Sequence, residues 1–388
     1  MLNTAHTLIC QLFELTKNTV KKMTKDFPVT PDDMTLYHQS VALYNKTEAE
    51  SAHIANVNGI TVGYLEFGPK DGVPLIWVHS SGSTSYEIFN VQAGLVEAGY
   101  RVISIDYRGH GKTQIEITDY NTSLYHIADD IAALMDQLDI DKAIIGGLSK
   151  GGWVAAAFYD TYPDRVLGLL LEDGGSFSCI HLAEDIQLKV VNPAPAPYPA
   201  EANATLCDTS IRYHNRLSAL KAVWAAFSPA VTNVKYTAEY LVAVLAALRQ
   251  EDDGAWIYHF DASRVMTSND ASRDSGSSFS STALYSRLPL MQQSQELMNP
   301  FVVFRNLRVP IHIIDLDSSW MPVRHQNKAL QMLHPDLIVH EIYGYERSLH
   351  QMHIERPERF IASAKALLTR VCQTSRGYIS LQQITIKE

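Results

Sequence analysis

Gly147-x-Ser149-x-Gly151 joins an apolar β-type run, Ala143 to Ile145, to a helical pattern that begins near Val154. A serine hydroxyl attacks a carbonyl only when a base takes its proton, and the oxyanion that forms needs N–H donors. The glycines indicate how the serine is held. Where a strand turns sharply into a helix, the serine backbone is strained and its flanking residues approach neighbouring elements too closely for a β-carbon. The predicted chemistry is acyl transfer through Ser149. A glycine-rich turn without chemistry is the alternative, and the strand, turn and helix in that order weigh against it.

The elements that would position this serine are short apolar runs at 74–80, 100–107, 142–149 and 166–173, separated by stretches with a 3.6-residue stripe such as "LYHIADDIAALMDQLDI". Continuous apolar strands alternating with amphipathic helices predict a mostly parallel sheet covered on both faces. A hairpin precedes them, two β-type runs around Asn58-Gly59. The rhythm stops at Gly174 and resumes with "VPIHIIDLD" at 309–317, then a helical, a strand-like and a second helical segment. The intervening residues interrupt a sheet that later continues, so they form an insertion over the carboxyl ends of the strands, where open α/β sheets bind ligands. The expected organisation is an N-terminal helical extension over 1–50, broken at Pro28 and Pro31, a core of 51–173 with 306–388, and a cap over 174–305.

Composition narrows the function classes. The chain has 388 residues, is 46% apolar and carries a net charge of −10, enough to bury a large core and without a basic run suited to a phosphate backbone. Nucleic acid is excluded as a partner on that ground. Cys10, Cys179, Cys207 and Cys372 lie far apart, in neither a metal-binding nor a disulfide pattern, and read as reduced thiols. The N-terminus lacks an early basic cluster and a cleavage site, and no unbroken apolar segment of about 18 residues could insert stably in a membrane. A cytoplasmic protein is expected.

Four stretches carry a resemblance. "VHSSGS" after the third predicted strand, "DYRGHGKT" after the fourth, "GLSKGG" after the fifth and "LHQMHIERPERF" after the eighth occur in the order typical of the α/β-hydrolase superfamily, which the chain resembles over roughly residues 53–371. The resemblance implies an α/β-hydrolase fold with a large helical cap inserted after strand six, and no metal or organic cofactor. It makes His350, five residues before Glu355, the base for Ser149, with His353 the competing candidate. A leucine, Leu349, stands where relatives have glycine. The resemblance also implies oxyanion donors in the backbone N–H groups of Ser81 and Lys150. Ser80 replaces the glycine that often follows the histidine, here His79; its hydroxyl is either an extra donor or solvated. His110 reads as structural.

The carboxylate that orients the histidine is open between two positions. The usual place after the seventh strand falls on Ser319, with Asp317 two residues early. Some relatives carry the acid after the sixth strand, which here is Asp173. Asp173 is preferred and Asp317 is the alternative; an aspartate there also serves as a turn or helix cap. Glu172 points to the opposite face of a regular strand.

Trp224, Phe227, Tyr240, Trp256, Tyr258 and Phe260 are candidates for an apolar pocket in the cap, with packing inside the cap as the blander role. The expected activity is hydrolysis of a carboxylic ester or lactone in a medium to large, partly apolar small molecule. C–C bond hydrolysis, acyl transfer to an alcohol and a slowly turning ligand sensor use the same parts. A homodimer stays open.

Overall fold

The computed structural model describes residues 29–80, 83–113, 115, 122–174, 212–227, 237–258, 299–316, 321–343 and 351–385. Its chain first turns back at Asn58 and Gly59, whose φ angles of 49° and 74° give the two left-handed residues of a tight hairpin. The turn pairs β1 (Ala52–Val57) with β2 (Ile60–Phe67) antiparallel. Strand β2 runs antiparallel to β4 (Tyr100–Ile105), and from β4 onward every neighbour is parallel: β3 (Val73–Val78), β5 (Ala143–Leu148), β6 (Val166–Glu172), β9 (Ile311–Leu316) and β10 (Ile338–Tyr343). The order across the eight-stranded sheet is β1-β2-β4-β3-β5-β6-β9-β10.

Every residue of β4 and β5 is buried, as a strand covered on both faces requires. Alternation along β3 feeds two cores. Ile76 and Val78 pack with helices α3 (Leu124–Gln137) and α4 (Lys150–Thr161), whereas Leu75 and Trp77 pack with α2 (Gln92–Glu97) and the C-terminal helix described last. Helix α3 starts at Ser123, which forms a capping box with His126, and buries Leu124, Ile127, Ile131 and Leu134 along one stripe.

Pro31 opens a helix instead of breaking one. Thr30 and Asp33 form a capping box and Pro31 takes the first position of α1 (Pro31–Glu50), where a missing N–H costs nothing. Between β6 and β9 the described residues form α5 (Arg216–Phe227), α6 (Ala238–Ala246) and the ribbon of β7 (Leu248–Gln250) with β8 (Trp256–Tyr258), all outside the main sheet. Helix α1 lies against α6, with Asp33 paired to Lys221 at 2.5 Å and Glu48 to Lys112 at 2.5 Å. It therefore joins the segment between β6 and β9 to the loop after β4. Helices α7 (Pro300–Val303), α8 (Met321–Leu333), α9 (Met352–Glu355) and α10 (Pro357–Thr385) complete the chain. No helix among the described residues is long and apolar enough to cross a membrane.

The crossing of β3 and α4 is the tightest point near the candidate serine. A β-carbon on Gly151 would lie 1.9 Å from the Val78 carbonyl oxygen. Gly151→Ala is therefore expected to destabilise the fold by more than about 3 kcal/mol in urea unfolding, because backbone, not a movable side chain, must give way. Stability within about 0.5 kcal/mol of the parent would contradict this packing.

Candidate active site

Ser149 has φ 53° and ψ −113°, a left-handed backbone for a residue with a β-carbon. It ends β5 and caps α4, and its N–H donates to the Glu172 carbonyl at 2.9 Å while its own carbonyl accepts from Gly152 at 3.0 Å. Three glycines make this possible. A β-carbon on Gly147 would lie 2.4 Å from the Gly151 carbonyl carbon, and one on Gly174 would lie 2.2 Å from the Ser149 carbonyl oxygen. Gly174 was not singled out by the sequence motif. It lets the chain after β6 cross directly against the serine.

That crossing brings the end of β6 to the elbow. Asp173 has φ 39°, donates its N–H to the Ile314 carbonyl at 2.7 Å, and is buried next to the elbow glycine. Its charge is felt by Asp315, a fully buried carboxylate on β9 that accepts from His340 Nε2 and Asn327 Nδ2, each at 2.7 Å. Burial first, then Asp173, pushes the Asp315 carboxyl up, against the hydrogen bond from His340. Asp315 was missed, although an aspartate inside the apolar run "HIIDL" is a visible oddity. His350, Asp317, Ser319 and Ser81 lie outside the described residues.

On the other side of the serine, Lys150 begins α4 with its side chain buried and its ammonium 4.6 Å from the centre of the Tyr107 ring. Burial pulls the amine down to about 7. The Tyr107 ring stacks on His79 at 4.1 Å, and its hydroxyl donates to the Ser80 carbonyl at 3.2 Å. His79 Nδ1 donates to the same carbonyl at 2.7 Å, and burial holds this ring near a value of about 3, so it is neutral. His110 packs against His79 and Tyr107.

Ser80 is neither an oxyanion donor nor solvated. Its N–H donates to both carboxylate oxygens of Glu87, at 3.0 and 3.1 Å, and its hydroxyl to Oε2 at 2.5 Å. Glu87, which the sequence reading passed over, also accepts from the Trp77 indole at 3.3 Å. Burial pushes this carboxyl up, opposed by the charge of His353 and the Ser80 donors. The serine that replaces the expected glycine thus has a dedicated buried partner.

The loop after β4 is fixed by similar means. Asp106 accepts from the backbone of Ser85 and Lys112, and Arg108 pairs with Asp130 through two hydrogen bonds of 2.5 and 2.9 Å. Burial raises Asp106 to about 6. Tyr240 is buried in the core of the inserted segment with Trp256 packed against it, consistent with packing. The side chains of Trp224, Phe227 and Tyr258, and all of Phe260, lie outside the described residues.

His353 is fully buried between two acidic residues. Its Nδ1 lies 2.8 Å from Glu172, its backbone N–H donates to the same carboxylate at 2.9 Å, and its Nε2 lies 3.1 Å from the Glu87 carbonyl. Both ring nitrogens meet acceptors, so both carry protons. Burial alone would lower this imidazole, but Glu172 holds it above its ordinary value. Glu172 thus points away from the elbow, as a regular strand dictates. Replacing His353 by Leu leaves a buried carboxylate without its counter-charge and is expected to cost about 3–5 kcal/mol. A raised folded-state value means that the charged ring's contribution is complete below about pH 6.5 and is lost as pH rises through that folded value. The gap between parent and variant in urea unfolding should narrow on the alkaline side; a pH-independent gap contradicts a charged His353.

Among the described residues no group of three or more His, Cys, Asp or Glu side chains could hold a metal ion. A family model described as the α/β-hydrolase fold matches residues 73–224. The chain is 33% identical over 119 residues to the non-heme chloroperoxidase of Streptomyces lividans, covering 30% of this chain and 42% of that one. It is 31% identical over 137 residues to 3-oxoadipate enol-lactonase 1 of Acinetobacter baylyi, covering 33% and 50%. These matches span half or less of each curated relative's length. The solved structure of E-2-(acetamidomethylene)succinate hydrolase superposes with a TM-score of 0.53 at 18% identity, covering 82% of this chain and 98% of that one, a likeness of fold alone. The parallel sheet, the strained serine elbow and the matched stretch together give this chain the α/β-hydrolase fold.

Proposed function

We propose that the chain is a serine hydrolase that cleaves a carboxylic ester or lactone through an acyl-enzyme on Ser149. The observation that carries this reading is the backbone of Ser149, a strained non-glycine conformation that three glycines exist to permit. Strain of this kind is kept where a hydroxyl must stand clear of the sheet. In the proposed cycle Ser149 Oγ attacks the carbonyl, His350 takes the proton, and the oxyanion is met by the N–H groups of Lys150 and Ser81. His350 returns the proton to the leaving alkoxide, and water then releases the acid by the same route in reverse.

Asp173 is the proposed orienting carboxylate. Its support is the crossing of Gly174 over Ser149, which sets residue 173 beside the elbow. Residues 174–305 are the proposed cap, and the lactone in the name of the Acinetobacter relative agrees with a cyclic ester as one substrate form. No metal or organic cofactor enters this cycle.

Hydrolysis of p-nitrophenyl esters tests it. Ser149→Ala and His350→Ala are each expected to lower kcat/KM by about 10⁴-fold or more, and Asp173→Asn by about 10²-fold or more, while Asp317→Asn stays within about threefold. A larger loss with Asp317→Asn would move the acid to the seventh sheet strand. Sustained turnover by Ser149→Ala would remove the mechanism altogether, and a single burst without turnover would favour an acyltransferase or a sensor.

A further inference from the structure

Among the described residues, buried charges meet an opposite charge or backbone N–H groups, and Lys150 beside the nucleophile does not. Glu172 meets His353, Asp130 meets Arg108, Asp315 meets His340, and Asp106 takes two backbone N–H groups. Lys150 is 1% exposed, and among the described residues its ammonium meets neither a carboxylate nor a hydrogen-bond acceptor. Its contact is the face of Tyr107, and a ring face returns less than an ammonium loses on leaving water. Helix polarity makes the position worse, because Lys150 is the first residue of the twelve-residue α4 and stands at its positive end. An anion, not a cation, is favoured there.

The side chain also has a direction. Tyr107 supports the loop after β3 through its bond to the Ser80 carbonyl, and Lys150 rests on that ring, so the ammonium lies on the β3 and β4 side of Ser149. The titratable groups facing it are Tyr107 and His79, with His110 beyond them. Among the described residues none facing it is anionic, and neutral His79 keeps an unpartnered Nε2 lone pair that cannot balance a positive charge. Among the described residues none brings a negative charge to this ammonium.

We propose that Lys150 is the specificity residue of the Ser149 site, its ammonium pairing with a second carboxylate carried by the substrate. The proposal rests on the serine-hydrolase reading and names its substrate class, esters or lactones that bear a free carboxylate. Lys150 follows Ser149 directly in the chain, and the monoester of a short dicarboxylic acid is the simplest substrate that carries both groups. The amine, pulled down to about 7 by burial, is partly neutral at neutral pH in the free protein. Carboxylate pairing requires the protonated form, so the preference for anionic substrates is strongest below about pH 7 and fades above it.

The test compares mono-p-nitrophenyl succinate with the neutral p-nitrophenyl butyrate, for the parent, Lys150→Met and Lys150→Arg, with folding checked by circular dichroism. The readout is the ratio of kcat/KM for the anionic to the neutral ester. Lys150→Met should lower this ratio by about tenfold or more, and Lys150→Arg should recover part of it. A ratio within about twofold of the parent's in Lys150→Met overturns the proposal and means that solvent, bridging to His79, compensates the lysine. Glutarate binding to Ser149→Ala by calorimetry separates the anion site from the hydrolase reading, since it needs no turnover. Binding weakened about tenfold or more by adding Lys150→Met supports the anion site even if neither ester is hydrolysed, and binding indifferent to Lys150 overturns it even if both are.

Discussion

The close approach of three backbones at Ser149 is the constraint on which the rest of the structure depends. The end of β3, the start of α4 and the chain leaving β6 meet there with no room for a β-carbon on Gly147, Gly151 or Gly174. Such contacts are possible only between backbones held rigidly, and the buried β4 and β5 at the centre of an eight-stranded sheet supply that rigidity. The strained serine is the consequence. Its unfavourable φ is offset by packing spread over the two cores on either side of the sheet.

Around this point the protein uses buried polar contacts to fix loops that a hydrophobic core could not orient. Glu87 holds Ser80 at the end of β3, and the Glu87 carbonyl receives His353, which in turn is held by Glu172 at the end of β6. One chain of hydrogen bonds thus ties the loop before Ser81, the strand end beside Asp173 and the helix that follows His350. Each contact is directional and individually modest, but a missing partner would strand a buried charge, so the three elements hold one register. Tyr107 adds a second tie between the Ser80 carbonyl and the Lys150 side chain.

Much of the fold was legible in the sequence because strand and helix periods alternate cleanly from His53 to Asp173 and again after Val309. The serine was legible because an elbow demands glycine at fixed offsets. Gly174 was not, since its reason for being glycine is a contact with Ser149, 25 residues away, that only the parallel pairing of β5 with β6 creates. Glu87 and Asp315 escaped for a related reason: their partners, Ser80, Trp77, His340 and Asn327, come from separate elements, and an isolated acid in an apolar run does not say which donor will reach it. Ser80 was ambiguous until Glu87 was placed opposite it. Pro31 was misread as a break because proline ends one helix and begins another equally well, and only the Thr30 and Asp33 capping box distinguishes the two.

The most direct test of the central claim, that Ser149 is an activated nucleophile, is reaction of the whole protein with a fluorophosphonate followed by peptide mass spectrometry. The account predicts one phosphonyl adduct per chain, on Ser149 of the "GGLSKGGW" peptide, and none after His350→Ala under the same conditions. An unmodified Ser149 in folded protein, or an adduct that forms equally fast without His350, would contradict it.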